Sequence, residues 1–189
     1  MEVIGSAKPK YRKKQVIDNV IYTRSLVTRN ISVPIVNIGR NIQETIEKNI
    51  ADSFEGKCVT EGFIKKDSCK VLTHSSGIIK GVAVNFEVVF ECKICSPVEG
   101  MLIQCIAKNI TKAGIRAESA DETPSPVVVF ITRDHHYMIP YFSTIQEGDK
   151  FTARVLGQRF ELNDKYVSII AELVEPKKDF SKPKLVFED

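Results

Sequence analysis

The stretch from Phe86 to Glu118, FEVVFECKICSPVEGMLIQCIAKNITKAGIRAE, constrains the fold of this chain more than any other. It reads as a long strand, a short turn at Ser96-Pro97-Val98-Glu99-Gly100, a second strand, a tight turn around Thr111–Gly114, and a third strand. Three antiparallel strands joined this closely begin a small Greek-key barrel.

The downstream sequence completes it. An acidic, proline-bearing loop, Glu118–Pro126, leads to the apolar run Val127–Ile131, and Gly148-Asp149 opens a strand over Lys150–Gln158. A turn at Leu162–Lys165 leads to a last strand over Tyr166–Leu173. Phe151, Ala153 and Val155 alternate with polar neighbours, as do Val167, Ile169 and Ala171, so each strand has one face for burial. The expectation is a five-stranded barrel of the oligonucleotide/oligosaccharide-binding (OB) kind. Its first three strands would be Val88–Cys95, Gly100–Lys108 and Gly114–Ala117. Such barrels bind single-stranded nucleic acid more often than anything else.

Upstream, a strand rich in Ile, Tyr, Thr and Val spans Val20–Ile31 and is broken by Pro34. Ile38, Ile42, Ile46, Ile50 and Phe54 recur four apart, which predicts a helix over Ile38–Phe54 with Asn37 as its N-cap and Glu55-Gly56 as its stop. Strands follow at Lys57–Ile64, Cys69–Thr73 and Val82–Cys95, separated by turns at Lys65–Ser68 and Ser75–Gly81. The order β-α-β-β-β predicts one helix on an antiparallel sheet, so the fold class is α+β. The strand Val82–Cys95 is long enough to serve both units and to couple them rigidly. The expected division is a basic tail over 1–15, the helix-and-sheet unit over 16–86, the barrel over 87–175 and a second tail over 176–189.

Charge is unevenly spread. Of the net +3, Met1–Lys14 carries +4 and Glu175–Asp189 carries none, which leaves the body at about −1. Affinity for nucleic acid grows with the phosphates neutralised, so binding by this body is expected to be local, modest and salt-sensitive. The basic tail, with Lys8 to Lys14, could bind nucleic acid, act as a nuclear localisation signal, or simply be solvated. No run of 18 apolar residues predicts a membrane helix, and no apolar leader is read. Five cysteines without an export signal are expected to be reduced and intracellular.

Three clusters are candidates for chemistry. Cys92 and Cys95 form a C-x-x-C, but a structural zinc needs four ligands, no second pair exists, and positions i and i+3 of a strand face opposite ways. Buried thiols are the better reading, with no metal and no cofactor. The segment from Arg133 to Tyr141 holds His135-His136 and is the densest polar-aromatic cluster. Catalysis would need a nucleophile held by an oriented base, and no nucleophile motif appears. Nucleic-acid contact suits the segment better: Arg133 could pair with phosphate, and His135 or Tyr137 could stack on a base, against the plainer reading of a polar loop. Lys108, Lys112 and Arg116 flank the turn between the second and third strands, where OB barrels contact backbones; a solvated hairpin end is the alternative. Isoleucines 94, 103, 106 and 115 fall where strong RNA binders place exposed aromatics, which predicts weak stacking.

Both halves together resemble a known family. The tracts Phe54-Glu55-Gly56-Lys57-Cys58, Gly62-Phe63-Ile64, Ser76-Gly77-Ile78-Ile79-Lys80-Gly81, Phe86-Glu87-Val88-Val89-Phe90 and Pro97-Val98-Glu99-Gly100 are similar to the stalk subunit of archaeal and eukaryotic RNA polymerases, the seventh-largest subunit in polymerase II. Gly114 and Gly148–Val155 fit that family's barrel, of the ribosomal protein S-one type. The resemblance covers about Val20–Val174, and the basic N-terminal extension fits a version encoded by a large DNA virus.

The resemblance implies a non-catalytic subunit. A tip domain would dock on the polymerase core, through a loop whose counterparts here are Gly77, Ile78 and Ile79. A barrel would lie near nascent single-stranded RNA, and a small helical stalk partner would complete the assembly. It places the protein with the transcription machinery, in the nucleus if cellular or in a viral factory or virion if viral, with no membrane partner. The alternative is a free-standing OB-fold RNA-binding factor of translation or RNA decay.

Overall fold

The structure, a computed structural model, describes residues 21–39 and 41–176. The basic N-terminal tail and almost all of the C-terminal tail read from the sequence lie outside the described residues. Two units follow one another, as expected: helix on sheet, then a closed five-stranded barrel.

The first unit contains β1 (Tyr22–Pro34), α1 (Ile42–Phe54), β2 (Cys58–Val59), β3 (Gly62–Ile64), β4 (Lys70–His74), β5 (Ile78–Lys80) and β6 (Ala83–Cys95). β6 is its spine. All 13 residues of β1 pair along one edge, from Tyr22 opposite Cys95 to Pro34 opposite Ala83. β3, β4 and β5 pair in turn along the other edge, and β2 extends β3. Alternation along β6 sends Val84, Phe86, Val88, Phe90 and Cys92 to one face, which α1 covers with Ile46 and Ile50; all of these are buried. Phe54 closes that core by stacking on Phe90, with ring centroids 6.1 Å apart.

The barrel contains β7 (Leu102–Ile110), β8 (Gly114–Ser119), β9 (Val127–Thr132), α2 (Pro140–Thr144), β10 (Lys150–Arg159) and β11 (Val167–Val174). It closes in the order β10-β11-β9-β8-β7, with β7 returning to β10 and only β9–β11 parallel. That is the OB arrangement, and it leaves no open sheet edge.

Four local expectations change. The barrel closes without the long strand: β6 pairs only with strands of the first unit, so the barrel begins at Leu102 rather than Val88. The helix begins at Ile42, not Ile38, and its N-cap is Asn41. Gly39, a poor helix former, precedes it, and Ile35–Asn37 forms a single 3-10 turn instead. β1 continues past Ile31 to Pro34, because an edge strand tolerates a residue that cannot donate. The segment read as a turn over Ser75–Gly81 contains the strand β5, paired with β6 at Ile78–Asn85, Ile79–Val84 and Lys80–Ala83.

The two units are joined by packing as well as by chain. Ile21, Cys58, Phe63 and Cys95 come from the first unit yet lie in the barrel's apolar core. The β10–β11 turn lies against β2: the Cys58 N–H donates to the Asp164 carbonyl at 2.8 Å, and the Asn163 N–H donates to the Cys58 carbonyl at 2.9 Å. On another side, Glu122 of the acidic loop accepts from the Tyr22 hydroxyl at 2.7 Å and pairs with Lys65 at 2.7 Å. Lys65 also lies 4.8 Å over the Tyr22 ring. Burial alone would raise the Glu122 carboxyl, but Lys65 and Tyr22 outweigh it and hold it below the usual carboxylate range. Burial, then Glu122, pushes the Tyr22 phenol far up.

Candidate functional site

The barrel's outer face is set by strand parity. In β9, Val127, Val129 and Ile131 point inward and are buried, so Phe130 points out and is 39% exposed. Arg116 of β8 lies opposite Phe130 on one side and Ile170 of β11 on the other. The β7–β8 turn closes over the end of this face because Gly114 takes a φ of +153°. A Cβ there would collide with the Ile131 carbonyl oxygen. The result is an open, mostly apolar cleft of about 320 Å³ lined by Asn109, Thr111, Gly114, Arg116, Phe130 and Thr132. An exposed aromatic floor beside a guanidinium is suited to a flat, partly anionic ligand such as a nucleotide.

The residues singled out in the sequence separate around this cleft. Arg116 lines it, and Lys112 lies in the turn between the lining residues Thr111 and Ala113. Arg116 and Lys108 share the Glu118 carboxylate, at 3.5 and 3.8 Å, so part of their charge is internally neutralised. Arg133 is exposed, but its Nε donates to the Lys112 carbonyl at 3.0 Å and its Nη2 to the Thr111 carbonyl at 3.3 Å. It also stacks 5.3 Å from the Phe142 ring, and so holds the β7–β8 turn in place. His135 and Tyr137 are exposed, on a 3-10 turn and just after it rather than on an extended loop.

The two adjacent histidines point apart. His136 is 3% exposed; its Nδ1 bonds the Thr132 carbonyl at 2.7 Å, while its Nε2 accepts the Leu173 N–H at 2.9 Å. With Nδ1 on the Thr132 carbonyl and Nε2 on the Leu173 N–H, both ring nitrogens are partnered, a brace between the β9 end and β11.

The isoleucines do not stand on the barrel's outer face as expected. Ile94, Ile103 and Ile115 are buried core residues, and Ile106 is half-buried. Val88–Cys95 pairs within the first unit, so the barrel's outer face begins one strand later than expected. The outward aromatic that this reading missed is Phe130, and period-two parity within Val127–Ile131 was the signal that could have found it.

In the first unit, Gly77 lies tight against β6, where a Cβ would meet Val84 and the Phe86 ring. It brings the chain close to the sheet, while Ile78 and Ile79 stand 64% and 71% exposed beside it. Val82, Ile35 and Val36 are also exposed, and the Ile35 N–H donates to the Val82 carbonyl at 3.0 Å, joining the end of β1 to the β5–β6 turn. Together they form an apolar end on the sheet. Clustered exposed apolar side chains of this kind mark interaction sites.

The C-x-x-C divides as strand geometry requires. Cys92 faces the helix-and-sheet core and Cys95 faces the barrel core. Among the described residues no group of three or more His, Cys, Asp or Glu is placed to hold a metal, and no helix is long and apolar enough to cross a membrane.

No family model matches the chain. It is 24% identical over 172 residues to a protein of Acanthamoeba polyphaga mimivirus assigned by name as a DNA-directed RNA polymerase subunit, covering 82% of this chain and 83% of that one. It is 25% identical over 127 residues to DNA-directed RNA polymerase II subunit 7 of Arabidopsis thaliana, covering 66% and 67%. The corresponding subunit of Glycine max is 24% identical over 131 residues, with the same coverage. The resemblance read from the sequence is therefore met in these comparisons: the chain is similar to DNA-directed RNA polymerase II subunit 7 of plants and to a DNA-directed RNA polymerase subunit of a virus.

Proposed function

We propose that this chain is a non-catalytic stalk subunit of a multisubunit DNA-directed RNA polymerase. Its first unit would dock on the polymerase core, and its barrel would touch nascent single-stranded RNA. The observation that carries the reading is the exposed apolar end formed by Ile35, Val36, Ile78, Ile79 and Val82, at the position where the related subunits are expected to dock. A free-standing RNA-binding protein has no evident use for such a surface. The polymerase core covers it, and a small helical partner completes the stalk. The protein then resides with the transcription machinery, in the nucleus or in a viral factory or virion.

RNA lies over Phe130, with Arg116 and Lys112 beside it and His135 and Tyr137 as further contacts. Lys108 and Arg133 take a smaller part, since Glu118 and the turn carbonyls already engage them. Affinity is low because few free cations face the phosphates. Tethering to the polymerase compensates, since a short span gives an effective concentration of about a millimolar.

Affinity purification of the tagged chain, with mass spectrometry of its companions, tests the docking half. The large polymerase subunits should accompany the native chain in near-equal amounts and vanish when Ile78 and Ile79 are both changed to Asp. Recovery of ribosomal or RNA-decay proteins instead would sink it and favour the free-standing factor. For the RNA half, Phe130→Ala should weaken binding of single-stranded RNA about tenfold, within the roughly 1–3 kcal/mol attributed to one stacked base. Unchanged RNA affinity would remove Phe130 from the interface.

A further inference from the structure

Of the five cysteines, none disulfide-bonded, two stand directly across a ladder from one another. β4 pairs with β6 at Lys70–Glu91 and Val71–Phe90. One step further along the same register, Cys69 faces Cys92. The Lys93 N–H donates to the Ser68 side-chain hydroxyl at 3.2 Å, so the two segments stay side by side one residue beyond them. Direct cross-strand partners have Cα atoms about 4.5–5.5 Å apart, within the span a disulfide bridges. Residues directly opposite also project to the same face; Cys92 lies in the helix-and-sheet core and Cys69 packs against it. Cys92 is fully buried, whereas Cys69 is only partly covered at the core's rim.

The remaining cysteines have no such partner. Cys58 and Cys95 flank Phe63 from opposite sides, which separates them by a strand, and Cys105 is sealed in the barrel. Burial raises Cys95 and Cys105 to about 12 and Cys58 to about 11, which leaves all three inert.

We propose that Cys69 and Cys92 are a reversible dithiol–disulfide pair that staples the start of β4 to β6. The oxidant class is a small-molecule disulfide such as glutathione disulfide. Cys69, the accessible member, loses its proton to solvent base, and its sulfur attacks one glutathione sulfur. The glutathione S–S bond breaks, and one glutathione leaves as thiolate and takes up a proton. The Cys92 sulfur then attacks Cys69, forming the protein disulfide and releasing the second glutathione. In sum, two protein thiols are oxidised and one glutathione disulfide is reduced to two glutathione thiols.

Accessibility assigns these roles, since Cys69 is partly exposed and Cys92 is buried. Cys69 first of all, against the opposing effect of burial, draws Cys92 toward its thiolate, suited to the resolving step. Cys92, then burial, pushes Cys69 far up, so the first step is slow at neutral pH and quickens in alkali. Glu55 holds the local backbone for the closure: its carboxylate accepts the N–H groups of Asp67, Ser68 and Cys69 at 2.8, 3.1 and 2.9 Å. The loop closed by the link contains Gly77, Ile78 and Ile79. Its effect on docking rests on the function proposed above; the link itself does not.

The reduced full-length chain would be incubated with glutathione disulfide at alkaline pH, acid-quenched, unfolded, alkylated and digested for mass spectrometry. The expected result is a Cys69–Cys92 linked peptide, loss of two alkylatable thiols, and slower amide exchange over Lys70–His74 and Ile78–Lys80. Dithiothreitol should reverse all three. Cys92→Ser should trap a stable glutathione adduct on Cys69, and Cys69→Ser should leave the other four thiols unmodified. Five free thiols in the native chain, a persisting glutathione adduct on it, or a link through Cys58, Cys95 or Cys105 would overturn the proposal. None of these readouts involves polymerase, so failure here leaves the docking reading untouched.

Discussion

The helix-and-sheet unit and the barrel solve the same problem in opposite ways. Both must bury one face of antiparallel strands. The barrel curls its sheet until β7 meets β10, so every strand is paired on both sides. The first unit keeps its sheet open, covers one face with a single helix, and leaves β1 on the edge and Ile78, Ile79 and Val82 bare at one end. A closed barrel is complete alone and offers only its outer surface. An open sheet has unmet apolar and backbone groups that another molecule can cover. The open unit is thus the better candidate for permanent assembly, and the barrel for transient contact.

Substitutions can break that contrast or sharpen it. The largest effect is expected from Phe90→Ala, which empties the centre of the helix-and-sheet core where Phe54 stacks. Its expected cost is about 3–5 kcal/mol, read as a lowered urea midpoint. If the units are coupled as their shared core implies, fluorescence and far-UV signals will still fall together; two separated transitions would show the barrel standing without its neighbour. Next is Gly114→Ala, where both a left-handed φ and a collision with the Ile131 carbonyl oppose a side chain. A loss of about 3 kcal/mol is expected. Gly81→Ala in the open unit, also at positive φ (+60°) but with free space around it, should cost only about 1 kcal/mol by the same denaturation assay.

An effect between those two glycine changes follows from His136→Ala. It strands the Leu173 N–H and the Thr132 carbonyl in the barrel, for about 1–3 kcal/mol. The smallest is Glu122→Gln, which cuts a partly exposed ion pair for less than about 1 kcal/mol. Because the folded state holds Glu122 below its ordinary value of 4.5, its stabilising contribution is complete above that value. It is lost as pH falls through the lower, folded value. The stability difference between native chain and Glu122→Gln should therefore vanish in acid; a constant difference would show that the carboxylate is not the source.

Features with strict local periods were legible in the sequence. The inward alternation of β10 and β11, the helix around Ile46 and Ile50, and the opposite directions of Cys92 and Cys95 all follow from fixed repeats. What was misread depends on pairing. Nothing in Ile78-Ile79-Lys80 alone distinguishes a turn from a three-residue strand, since β6 makes it a strand. The long run Ala83–Cys95 is equally good for either sheet, and only the closure of β7 onto β10 excludes it from the barrel. That one displaced strand hid Phe130. Arg133 shows a different limit: as a residue type it suits phosphate, but the carbonyls of Lys112 and Thr111, over twenty positions earlier, occupy its donors. Glu55 reads as part of a helix stop, and its grip on three amides beyond the next turn appears only in three dimensions.

The four side chains that the first unit places in the barrel's core bear on modularity. Ile21, Cys58, Phe63 and Cys95 act as a stopper for a vessel whose wall is otherwise its own. A barrel excised at Leu102 and transplanted elsewhere would be uncorked, with apolar lining open to water and its β10–β11 turn deprived of the Cys58 backbone. OB barrels are often treated as interchangeable beads on a string. This one is threaded so that the bead and the knot beside it are inherited together, and a swap between proteins would have to carry both.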